Sequence, residues 1–202
     1  MTFEPALAKG KKEYSGEVFS GLDLKGKAVT SKQFRDCIFK NCDFTGAVFR
    51  FCEFRDCCFE SCNLSLVKLN GTLFAGTSFK DSKLVGINWT EAYWPAIKLS
   101  CPLQFDNCLL NDSTFLGLSL DGVRISSCKA RDADFRDADL SKADLTRTDF
   151  TGALFGGTNL TGADLTRATG YAIRISDNRL KDAKFSLPEA LALLYCLDIK
   201  IV

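Results

Sequence analysis

Cut into fives, the stretch from Ala133 to Arg167 reads ADFRD ADLSK ADLTR TDFTG ALFGG TNLTG ADLTR, seven units without a gap. A large apolar residue sits at the centre of each unit and a small one, Ala or Thr, two places before it. An internal period of this kind governs every local assignment, because missing it mis-assigns the whole fold. Backwards the grid holds to Phe105, and forwards it reaches Phe185. Upstream of Phe105 the period survives with its phase shifted by one: the centres become Leu99, Trp94, Trp89, Leu84 and so on to Phe19. These centres take nearly all of the 17 Phe and both Trp.

Charge tests the grid independently, since an inward position excludes it and an outward one tolerates it. From Gln33 to Phe185 no Lys, Arg, Asp or Glu falls on a centre or on the place two before it. Two inward and three outward residues in five match neither the 3.6 period of a helix nor the 2 of a flat strand. They match a chain that turns a corner every five residues. Four such units make a square coil of 20, the spacing that separates Cys37 from Cys57, Cys42 from Cys62 and Cys108 from Cys128. The expected architecture is an all-β solenoid whose coils rise by the inter-strand spacing, a rod about 40 Å long.

The 10 cysteines are mostly packing residues. Seven (Cys37, Cys42, Cys52, Cys57, Cys62, Cys108, Cys128) occupy the small inward slot, where cysteine serves as a compact core side chain. With no CxxC pair and no histidine, mixed zinc sets are missing. The opening MTFEPALAKGKKEYSG lacks the apolar region of a signal peptide, and no apolar run reaches membrane-spanning length, so a cytoplasmic protein with no membrane partner is expected.

Residues 1–16 read as a mobile arm and 17–185 as the repeat. Glu17, Lys27 and Lys32 fall in the inward slot, so the first coil is expected to be frayed. The phase change between Leu99 and Phe105 reads as a single extra residue, and Pro95 with Pro102 suggests a kink there. Residues 186–202 form a separate end. Ser186 with Glu189 fits a capping box and Pro188 a first helical turn, so a helix is expected to about Cys196. Its surplus apolar surface, with the strand-like tail, suggests a homodimer joined at the C-termini through Leu187, Leu191, Leu194, Tyr195, Leu197, Ile199 and Ile201.

A run such as ADLSK ADLTR TDFTG resembles the pentapeptide-repeat family. The resemblance covers residues 17 to 185 and implies a right-handed quadrilateral β-helix. The stretches NWTEAYWPAIKLSCPLQF and FSLPEALALLYCLDI resemble its DNA gyrase-protecting branch, which includes the Qnr, MfpA, microcin B17 immunity and albicidin-resistance proteins. That likeness implies a dimer that mimics duplex DNA toward gyrase or topoisomerase IV. The acidic candidates for such a surface are Asp112, Asp132, Asp134, Asp137, Asp139, Asp144, Asp149 and Asp164. Asp112 with Asp132, and Asp144 with Asp164, are 20 apart, so like charges should stack at a cost in stability. Some members of the branch depend on long projecting loops, for which a single extra residue leaves no room.

Three other readings stand beside this one. A rod of this kind can be an interaction scaffold with no mimicry. An enzyme is disfavoured, because no histidine, phosphate-binding loop or nucleophile with a partnered base is present, and no cofactor is implied. Direct nucleic-acid binding through Lys9, Lys11, Lys12, Arg35, Lys40, Arg50 and Arg55 is offset by Glu53, Asp56 and Glu60, and the net charge is only +1.

Overall fold

The computed structural model describes residues 10–95 and 103–195. It is a right-handed quadrilateral β-helix with four parallel ladders, one on each side of the coil. The first face stacks Glu13–Ser15, Gln33–Arg35, Glu53–Arg55 and Leu73–Ala75, and the second stacks six strands from Val18–Ser20 to Arg124–Ser126. The third runs through single bridges from Asp23 to Thr169. The fourth opens with Ala28–Thr30 on Val48–Arg50 and goes on through single bridges.

The centres point inward and stack on their counterparts one coil away. Phe39 lies between Phe19 and Phe59, with ring centroids 5.0 and 4.6 Å distant and nearly parallel planes. Phe34 and Phe54 are 4.9 Å apart at 5°. Rings on neighbouring faces meet edge to face, as Phe34 and Phe39 do at 75°. Both geometries are favoured by the ring quadrupole. The core is therefore a column of aromatic stacks passing into leucines.

The slot two before the centre does more than pack. Where it holds Ala, its N–H closes a turn on the carbonyl three residues back, as from Ala47 to Phe44 (2.8 Å). At several cysteines in this slot the side chain in the same slot of the next coil accepts the N–H instead, although Thr72 N still closes the turn on Leu69 O (2.8 Å). Cys42 N donates to Cys62 Sγ (3.4 Å), Cys62 N to Ser82 Oγ (3.0 Å) and Cys128 N to Thr148 Oγ1 (3.2 Å). Each accepting side chain also donates to a centre carbonyl of the coil before: Cys62 Sγ to Phe39 O (3.3 Å), Thr148 Oγ1 to Ile125 O (2.7 Å). Buried backbone groups at these corners need such partners.

Corners place the residue after each strand at positive φ. Gly, Asp, Asn and Ser take most of these places, as the left-handed region favours. Phe51 (φ 52°) and Leu66 (φ 61°) are bulky residues in the same conformation.

Three expectations are corrected. Residues 13–16 are not part of an arm: Glu13–Ser15 pairs with Gln33–Arg35, Tyr14 is buried, and Gly16 N bonds Arg35 O at 2.9 Å. The first coil is closed, with Lys11 bridging Glu17 at 2.6 Å and lying 4.6 Å from the Tyr14 ring centroid. At the phase change the ladder partner moves from 20 to 26 residues on: Ser78 pairs with Gln104, Lys83 with Leu109 and Asn88 with Thr114, before Gln104 returns to Arg124. Six residues, not one, enter between Trp94 on the first face and Leu103 before the second. Leu99 and Pro102 lie outside the described residues.

The C-terminal capping box does not form. Ser186 Oγ accepts from Arg167 N on the neighbouring coil (2.8 Å), and the turn Glu189–Leu191 begins after Pro188 without a side-chain cap. The helix that follows, α1 (Ala192–Tyr195), has four residues. Ala192 and Leu193 pack on the core, while Leu187 and Leu191 are exposed. Leu197, Ile199 and Ile201 lie outside the described residues.

Candidate partner-binding surface

The eight acidic candidates do not share a face. Asp134 lies on the fourth, Asp139 on the first, Asp144 and Asp164 on the second and Asp149 on the third, each next to a centre. Asp112 and Asp132 stand at the corner between the third and fourth faces, and Asp137 at the corner between the fourth and first, all at positive φ. Together they form a belt round the distal half of the rod.

The five beside centres hold their own turns. Each offers Oδ1 to the backbone N–H two residues on: Asp134 to Arg136 (3.0 Å), Asp139 to Ser141 (3.0 Å), Asp144 to Thr146 (3.2 Å), Asp149 to Thr151 (3.0 Å) and Asp164 to Thr166 (2.9 Å). An Asp in this place mimics a backbone turn. Several also meet cations, Asp134 with Arg136 and Asp149 with Arg131 at 2.7 Å, Asp144 with Arg124 at 3.6 Å and Asp164 with Lys184 at 3.8 Å. The Arg136 guanidinium, followed by the Arg136 amide, holds Asp134 below the usual carboxylate range. Burial would raise Asp149, but the Thr151 hydroxyl and amide with Arg131 outweigh it, and Thr166 lowers Asp164.

Asp144 and Asp164 do stack in register, and Arg124 and Lys184 continue the same column on either side. The like-charge cost is thus offset locally. The corner carboxylates differ: Asp112, Asp132 and Asp137 have no ion pair among the described residues.

Two shallow depressions flank the proximal coils. One, of about 150 Å³, runs along the first face by Glu13, Gln33, Arg35, Glu53 and Arg55, and the other, of about 270 Å³, lies by Cys42, Asp43, Cys62, Asp81 and Lys83. Neither joins a nucleophile to a base. Among the described residues no cluster of metal-ligating side chains occurs, and no helix is long and apolar enough to cross a membrane. The eight cysteines described are free thiols, seven of them buried.

Sequence reasoning missed Phe51 and Leu66, 70% and 58% exposed at corners where Gly or a small polar residue is usual. The signal was an apolar side chain in an outward corner place.

A family model for the pentapeptide repeat region matches residues 32–102 and 94–165. No curated protein matches the sequence significantly. Among solved structures, trypsin-treated QnrB1, a plasmid-mediated fluoroquinolone resistance protein, superposes with a TM-score of 0.70 at 20% identity over 95% of this chain and 99% of its own. Full-length QnrB1 gives 0.57 at 20% over 93% and 100%. HetL, involved in heterocyst differentiation regulation in the cyanobacterium Nostoc sp. strain PCC 7120, gives 0.62 at 17% over 87% of both chains. At these identities the likeness is one of fold.

Proposed function

The chain belongs to the pentapeptide repeat family, and from that premise we propose that it is a non-catalytic binding protein that mimics duplex DNA and engages DNA gyrase. It would thereby protect the enzyme against an antibiotic or toxin. The observation that carries this reading is the whole-length likeness to QnrB1, a resistance protein. The acid belt supports it, because duplex phosphates also run round a cylinder and not along one side. Corners project furthest from the axis, so Asp112, Asp132 and Asp137, which make no ion pair among the described residues, are the carboxylates best placed to meet a basic surface. Such contacts weaken with salt.

The six residues added before Leu103 lift the length limit that a single-residue slip sets. The exposed Leu187 and Leu191 support joining of two rods at their C-termini, which would bring both acid belts toward the middle of one long particle. Unbridged thiols fit a reducing cytoplasm.

A non-mimetic scaffold is the second reading, favoured by the five carboxylates already engaged in turns. Supercoiling by purified gyrase, titrated with this protein with and without a fluoroquinolone at two salt concentrations, separates them. Restored supercoiling under the drug, or salt-sensitive inhibition without it, supports mimicry. No effect at micromolar protein leaves the scaffold.

A further inference from the structure

Nine large hydrophobic side chains are exposed among the described residues, and five of them lie on the fourth face or its two edges. Phe51 stands on the edge toward the first face, Leu66 on the edge toward the third, and Leu116, Leu154 and Ile175 on the face itself. Phe51 and Leu66 hold the left-handed conformation that bulky residues avoid. Strain of this kind gathers where a side chain has work outside the fold.

Charge along this face is ordered. Arg50 and Lys68 lie in its proximal half, Asp112 and Asp137 on the edges of its distal half, and none of the four has an ion pair among the described residues. The coil of Trp89 is midway. A two-fold axis lying across the rod at that coil reverses the order of coils and keeps each edge on its own side. Lys68, one coil before Trp89, then meets Asp112, one coil after it, on the third-face edge. Arg50, two coils before, meets Asp137, two coils after, on the first-face edge. The Phe51 ring, which leans forward onto Gly71, falls opposite Leu116 and Gly117.

We propose that the fourth face is a self-association surface, on which a second copy of this chain packs antiparallel with Trp89 at the two-fold axis. An isologous contact must be self-complementary, and this face is so in charge and in apolar content. Glu91 on the axis meets its own copy, and Arg50 also comes opposite Arg136, whose charge is met by Asp134 at 2.7 Å; these are the like-charge contacts. The face is roughly 34 Å long and one strand wide, less than the roughly 800 Å² per partner of a standard interface. The dimer is therefore weak and concentration-dependent. The proposal does not rest on the gyrase reading or on the C-terminal contact, and the weak dimer would compete with gyrase for Asp112 and Asp137.

Sedimentation velocity of the full chain, from low micromolar to hundreds of micromolar, tests it. Leu191→Glu is included throughout to disable the C-terminal contact, and association that persists in this variant is expected. Phe51→Gly should weaken that association at least tenfold while leaving the melting temperature equal or higher, because glycine suits φ 52°. Arg50→Glu or Asp137→Lys alone breaks two symmetric pairs and should weaken it about tenfold, and the double variant should restore it. A chain that stays monomeric overturns the proposal, as does association indifferent to these changes. If Phe51→Gly instead abolishes a gyrase effect in a monomeric chain, the face belongs to another partner and the proposal also fails.

Discussion

The ring of Phe51 lies against the bare Cα of Gly71 one coil on, with Phe51 Cδ1 2.8 Å from the place a β-carbon of residue 71 would occupy. Leu66 stands in the same relation to Gly86, also at 2.8 Å. The bulky side chains at these two left-handed corners lean over the next corner in their columns, where glycine leaves them room, whereas a smaller corner residue such as Asp112 is followed by another side chain, Asp132. Gly71→Ala meets both the ring and φ 62°, and should cost about 1–3 kcal/mol. Phe51→Gly in the same chain should recover the part due to the ring, as chemical denaturation would show.

Cys62 accepts from Cys42 N and donates to Phe39 O. Cys62→Ala strands both buried groups, with an expected loss of about 1–3 kcal/mol. Cys62→Ser should lose less, since Ser82 makes the same pair of bonds one coil on. If Ala and Ser variants unfold at the same denaturant concentration, packing alone explains the cysteines.

Asp134, Asp149 and Asp164 have carboxyls held below their ordinary range in the folded chain. Their unfolded values are higher, so the stability they add is full above about pH 4 and drains away as pH falls through the folded values. Unfolding free energy should therefore drop steeply below that point. Asp134→Asn, which keeps an acceptor for the Arg136 amide but loses the charge, should flatten this dependence.

If the rod meets gyrase through its corners, Asp132→Asn and Asp137→Asn together should reduce the effect on supercoiling and its salt dependence. The same change at Asp144, which is bound to Thr146 and near Arg124, should move it little. Equal loss from both sets would assign recognition to the whole belt.

Much of this molecule is written plainly in its sequence, because a chain that turns every five residues must declare each inward place. Phe34, Phe39 and Phe54 are buried where the grid puts them, and Cys42 stacks on Cys62. The length of the insertion is illegible for an arithmetical reason: a count taken modulo five cannot tell one added residue from six. The capping box failed because Ser186 has a nearer amide in Arg167, on a coil that lies 19 residues back in the chain. Tyr14 is a lone apolar residue among Lys11, Lys12 and Glu13, and only the pairing of its strand with Gln33–Arg35 reveals its place. The acid residues were found by type, but the division between turn-holding and free carboxylates depends on which side of the corner each one stands.

Register in this rod is settled coil by coil. Asn88 pairs with Thr114 as faithfully as Thr114 with Asp134, although the chain between the first two is longer by six. A corner is thus a port through which length can be added without disturbing the layers above and below. Variation in a lineage of such rods can accumulate at the ports while the column of rings stays fixed, and a designer could splice a foreign segment between Pro95 and Leu103 with the same freedom.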